Sequence, residues 1–180
     1  MRLFSNIISG MFHPLLMVTY GVVLALTFTY VAIYPPTMKL LLAGGTFLST
    51  AVIPGAFIFM MVKNGAAVDL ELSDRHERVV PYLIFITSIM VCAFYMYKMM
   101  LPFWFISLLL GACVALILAL LINFFWKISA HAIGIGGLLG GIMGVARIHL
   151  INPYWAFIIV ILIAGLVGSS RIFLKRHTPM

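Results

Sequence analysis

Residues 102–126 contain no charged side chain, and an apolar stretch of that length has one ordinary home. A helix needs about 20 apolar residues to cross the ~30 Å hydrocarbon core of a bilayer. The pattern recurs along the chain. Prolines and small polar knots mark out six candidate crossings, at about 12–34, 39–62, 79–99, 102–126, 129–150 and 153–174. In lipid every backbone N–H and C=O must be satisfied within the segment, and these runs do not alternate in polarity as barrel strands do. The predicted fold is therefore all-α, a polytopic membrane helix bundle with about six transmembrane helices, in a single domain over residues 1–180. Composition agrees. Charged residues are 8% of the chain, against roughly a quarter in soluble domains, so no sizeable soluble domain fits.

The net charge of +7 is spread between apolar runs. That distribution argues against nucleic acid and for anionic lipid head groups or an anionic substrate. Cys92 and Cys113 lie inside apolar runs without metal-ligand spacing and read as small core residues. The stretch after Arg2 is too long for a signal peptide and lacks a cleavage site, so the first crossing is expected to stay. Pro81 suits a first helical turn, and Pro54-Gly55 predicts a kink. In the fifth crossing, Gly136, Gly140 and Gly144 recur every four residues, as do Gly137 and Gly141. Such a smooth face predicts close helix–helix packing, with room for a lipid chain as the alternative.

Polar residues gather in three knots. One is the loop around 69–78, with all four acidic residues (Asp69, Glu71, Asp74 and Glu77) interleaved with Arg75, His76 and Arg78. These acids are expected to pair with the arginines beside them. A second knot holds Lys127, Ser129 and His131. The third holds Ser170, Arg171, Lys175, Arg176 and His177. The gaps between knots each fit two crossings of about 20 residues. An even number of crossings returns the chain to the same face, so the three knots are expected to converge. Counting cations, eight on the knot side against three opposite, would make that side cytoplasmic. Setting aside five that would serve a site leaves three against three, so the charge rule selects no orientation.

Arginine, lysine and histidine at a membrane surface suit a phosphate. A guanidinium grips its oxygens in pairs, and histidine serves as nucleophile or proton donor. Lone cations at helix ends also snorkel to head groups with no further role. His13 lies on the knot side by crossing count and reads first as a helix-start residue.

Ser170-Arg171, five residues, then His177 reproduces S-R-x5-H, and Ser129-Ala130-His131 stands for S-G-H. In order and spacing these resemble the type 2 phosphatidic acid phosphatase (PAP2) superfamily of membrane lipid phosphatases, over roughly residues 74–177. The resemblance implies His177 as a nucleophile forming a phosphohistidine. It implies His131 as the acid for the leaving group, and Arg171 with Ser129 and Ser170 as phosphate ligands. The first motif, K-x6-R-P, departs most. Arg78 and Pro81 are not adjacent, and Glu71 or Leu72 stands where the lysine belongs; Arg75 and Arg78, with Lys127, are the cations left to hold phosphate there. The family's aspartate falls at position 181, after which a closing helix follows. The resemblance therefore implies a longer chain or a motif without its aspartate, and none of the four acids is singled out to replace it.

The resulting expectation is a phosphatase acting on a lipid phosphomonoester or pyrophosphate in the bacterial inner membrane. It uses no metal and no cofactor, and its partners are the phosphorylated lipid and membrane lipids. The alternative is a membrane protein that keeps the phosphate site and binds or transports an anionic lipid without chemistry.

Overall fold

The computed structural model describes residues 2–72, 74–126 and 128–173. Eight α-helices follow one another among them: α1 (Arg2–Met11), α2 (Pro14–Phe28), α3 (Pro36–Phe47), α4 (Ile53–Lys63), α5 (Val79–Lys98), α6 (Phe103–Asn123), α7 (Ala130–His149) and α8 (Tyr154–Phe173). Among the described residues five helical stretches are long and apolar enough to cross a membrane, α3 and α4 counting as one continuous stretch of 28 residues. Large side chains such as Phe94, Tyr95, Leu118 and Leu162 point outward. Such a surface would aggregate in water and is at home in lipid. The chain is a polytopic α-helical membrane protein.

The first crossing differs from the uniform helix its hydropathy predicts. α2 stops at Phe28, Thr29 is extended at φ −118° and ψ 179°, and a 3₁₀ turn runs over Tyr30–Ile33. The cause is local. Thr29 Oγ1 donates to Ala25 O at 2.8 Å and accepts from Val31 N at 3.4 Å, offering the backbone an alternative to the helical ladder. The 15 residues of α2 cover about 22 Å and the turn about 8 Å more, together close to the hydrocarbon thickness.

At Pro54 the kink takes the form of a π-turn over Leu48–Val52, directly before α4. Proline lacks the N–H that the ladder needs, and a wider turn absorbs the mismatch. Thr50, fully buried there, meets Thr19 of α2 Oγ to Oγ at 3.0 Å. A helical residue pair bonded in this way satisfies two hydroxyls that lipid would leave bare.

One core lies between α2, α3, α5 and α6, around Val22, Leu42, Ile89, Phe105 and Leu109. The buried cysteines Cys92 and Cys113 belong to it and are unpaired. A second core joins α1, α2, α7 and α8 through Ile8, Met17, Ile135, Val160 and Val167. α1 is the element that hydropathy did not predict. It packs on α8 with Ser5, Ile8 and Ser9 buried, while Ile7 and Met11 face outward. At the bundle end away from the knots, Trp104 Nε1 donates to the Tyr30 hydroxyl at 2.8 Å, and the His149 ring stands 4.5 Å from Trp104.

Candidate functional site at the polar end of the bundle

The described residues of the three knots meet at one end. Arg78 ties the first to the second. It is buried at the start of α5, where Nε donates to Leu72 O and Nη1 to Ile128 O, both at 2.8 Å. Leu72 is held at φ 53°, a left-handed conformation that a leucine adopts only when its surroundings impose it. Arg75 Nη1 donates to Phe125 O at 3.2 Å, and Asn123 Nδ2 donates to Arg75 O at 2.7 Å. Both arginines proposed as phosphate ligands thus clamp the α6–α7 connection through its carbonyls. Of the two, Arg78 reaches the cavity described below.

The third knot arrives on α8. Arg171 is buried, and its Nη1 donates to Glu71 Oε2 at 3.0 Å and to Ser9 Oγ at 3.3 Å. Glu71 is a third exposed. The acidic loop therefore sends its ion pair out to α8, while Asp69 and Asp74 accept backbone N–H groups of Glu71 and His76, and Glu77 accepts that of Val68. His131 opens α7, buried, with Nε2 3.1 Å from Ser9 Oγ and 3.2 Å from Ser9 O. Ser129 caps α7 by accepting from Ala132 N at 3.4 Å. Ser170 is buried beside Arg171. Lys127 and His177 lie outside the described residues.

His13 has two attachments. Its Nδ1 accepts from Leu15 N at 3.4 Å, capping α2, and its ring stands edge-on to His131 with centroids 5.6 Å apart. Burial pushes its pKa below the ordinary 6.5; Glu71 opposes the shift and Arg171 adds to it. Among the described residues, no group of three or more His, Cys, Asp and Glu side chains gathers as metal ligands.

Below this polar cluster opens a cavity of about 1310 Å³. His13, Glu71, Arg78, His131 and Arg171 line its polar end, and apolar faces of α2, α6, α7 and α8 line the rest. The glycines of α7 account for much of its width. A Cβ at Gly137, Gly140 or Gly144 would meet nothing within 4 Å. Of the five stripe glycines only Gly141 touches a neighbour, Leu108 Cδ2 at 3.6 Å from a Cβ there; the tight approach falls at Gly134, outside the stripe, where a Cβ would stand 2.9 Å from Met17 Cγ and 3.2 Å from Pro14 Cα. The stripe is largely open rather than packed, from Gly136 to Gly144 along about 12 Å of α7.

Sequence reasoning named His131 and Arg171 but not their common partner, Ser9, and it did not select Glu71 or place His13 in the cluster. The signal for Ser9 was the spacing of Ser5 and Ser9, four apart and so on one face of a helix.

The fold and this polar end define the class: an integral-membrane helix bundle with a cationic, histidine-bearing cluster at the head of an apolar cavity. The chain matches no protein-family model, no curated protein and no solved structure, so the PAP2 resemblance stands on its motifs.

Proposed function

We propose that the chain is an integral-membrane lipid phosphate phosphatase of PAP2 type, acting in the bacterial cytoplasmic membrane. The observation that carries this reading is the cavity's polarity. A guanidinium and an imidazole, linked through one serine, sit where a head group would lie, and a lipid-wide apolar space extends beneath them. Arg171 Nε is buried without a partner among the described residues. An anionic oxygen is the natural acceptor for such a donor.

In the proposed reaction a ring nitrogen of His177 gives its lone pair to phosphorus, and the P–O bond to the lipid breaks. The leaving oxygen takes a proton from cationic His131. Neutral His131 then takes a proton from water, whose oxygen attacks phosphorus. The P–N bond breaks, inorganic phosphate leaves and His177 is restored. Arg171 stabilises the charge spread over the equatorial oxygens, the main task in phosphoryl transfer.

The test is phosphate release in nanodiscs from phosphatidate and from a polyprenyl pyrophosphate, comparing wild type with His131→Gln and His177→Ala. Release abolished by either substitution supports the enzyme. Tight lipid-phosphate binding with no release in wild type leaves the binder, a reading favoured by the carboxylate of Glu71 already occupying Arg171. Absence of both binding and release removes the phosphate reading.

A further inference from the structure

At the end of α1 the carbonyl of Ser9 is left out of the backbone ladder. His13 N donates to Gly10 O at 3.3 Å, so it does not close the regular ladder onto Ser9 O, and Pro14 brings no N–H to the next position. A helix C-terminus leaves such carbonyls to outside partners, and its dipole favours donors and cations. The outside partner of Ser9 O is His131 Nε2 at 3.2 Å. A carbonyl only accepts, so a bond here needs the hydrogen on Nε2. The Ser9 hydroxyl lies 3.1 Å from the same nitrogen and accepts from Arg171 at 3.3 Å. One residue thus holds both groups from opposite sides of the cluster, His131 from α7 and Arg171 from α8.

We infer that α1 is a working part of the site and that Ser9 is its positioning residue, fixing His131 as the Nε2–H tautomer and holding Arg171 beside it. This rests on the reading above and deepens it. With Nε2–H engaged, Nδ1 is bare in the free site; it takes up a proton as the anionic head group binds, gives that proton to the leaving oxygen and later takes one from water. Ser9 itself touches neither phosphorus nor the leaving group. The groups around His131 that share this arrangement are His13 at the start of α2, Glu71 from the loop before α5, and Arg171 from α8.

The test uses the full chain in nanodiscs with ¹⁵N-labelled histidine, the His131 resonances being assigned by their loss in His131→Gln. Wild type is expected to show a protonated Nε2 and a bare Nδ1 at neutral pH. Ser9→Ala, which keeps the carbonyl and removes the hydroxyl, is expected to retain the Nε2–H tautomer, to shift the His131 resonances as Arg171 loses its hold beside the ring, and to lower kcat by about 10- to 100-fold, the scale of a small misplacement of reacting groups. Ser9→Thr, which keeps the hydroxyl, is expected to restore both readouts. Should Ser9→Ala not fold, Ser9→Cys replaces it. A wild-type Nδ1–H tautomer overturns the inference, as does a Ser9→Ala protein with unchanged resonances and unchanged kcat. If wild type hydrolyses no lipid phosphate, the phosphatase reading falls while the tautomer result still decides the role of Ser9.

Discussion

Placing the same leucine at two glycines of α7 separates packing from ligand space. At Gly134 the new Cβ alone would approach Met17 Cγ to 2.9 Å and the backbone Cα of Pro14 to 3.2 Å. Pro14 is backbone at a helix start and cannot swing away, so Gly134→Leu forces α2 and α7 apart. Overpacking of this kind costs about 1–3 kcal/mol or more, exceeding the ~1 kcal/mol that leucine gains over glycine in a helix. At Gly140 the Cβ would meet nothing within 4 Å, so only the propensity gain remains. The propensity gain is common to both, so the two variants should differ by about 1–3 kcal/mol, roughly 2–12 °C in Tm for a chain of this size. Their effects on ligand run the other way. Gly140 lines the cavity, and a leucine there occupies space that the proposed function gives to a lipid tail. The loss is one of fit rather than hydrophobic transfer, since bilayer and groove are equally apolar. A misfit of about 1–2 kcal/mol raises KM for a long-chain lipid phosphate about 5- to 30-fold and leaves a short-chain phosphate ester unaffected. Thermal unfolding in detergent and turnover of the two substrates measure this. If Gly140→Leu destabilises the chain as much as Gly134→Leu, or changes long- and short-chain substrates equally, the assignment of the open glycine wall to a lipid tail is wrong.

Glu71→Gln should release Arg171 from its carboxylate. If phosphate competes for that guanidinium, lipid-phosphate affinity rises about tenfold, the worth of one charge-assisted hydrogen bond, in an equilibrium titration; weaker binding would make Glu71 an orienting group instead. Arg78→Lys should lose both bonds to Leu72 O and Ile128 O, because an ammonium has no fork to reach two carbonyls, and the stability loss by denaturant unfolding is about 3 kcal/mol. An unchanged midpoint would remove the clamp. His13 binds protons less readily in the folded chain than its ordinary value of 6.5, so the unfolded state gains protons first as pH falls. Its contribution to stability is complete above about pH 6.5 and is lost below it. His13→Asn, which keeps a capping side chain, should flatten the stability profile as pH falls below about 6.5, and an unaltered slope would contradict the shift.

Hydropathy and proline placement were enough to locate α5, α6, α7 and α8 within a few residues, because in lipid an apolar run has little choice but helix. They missed the break at Thr29, which depends on one hydroxyl choosing between two backbone partners. They also missed α1, whose ten residues are too short to register as a crossing and whose polar face makes sense only against α8. The spacing of the knots was legible, since an even number of crossings is a matter of counting. Which acid would leave its own loop was not. Glu71 and Asp69 sit two residues apart with the same charge, and only the backbone turn at Leu72 aims one of them at Arg171. The glycine stripe was visible as a smooth face, but smoothness does not distinguish a wall pressed against a neighbour from a wall facing empty space.

The central claim is that the polar cluster and the apolar cavity form one site for one phosphorylated lipid. Photo-crosslinking in nanodiscs tests it most directly, using phosphatidate with a diazirine in its tail, the matching diacylglycerol as the phosphate-free control, and peptide mapping of the adducts. Wild type should be labelled along the cavity faces of α2 and α7 by the phosphate lipid but not by its control, and Arg171→Gln should abolish that labelling. Equal labelling by both lipids, or adducts confined to outward-facing positions such as Phe94 and Tyr95, would contradict it.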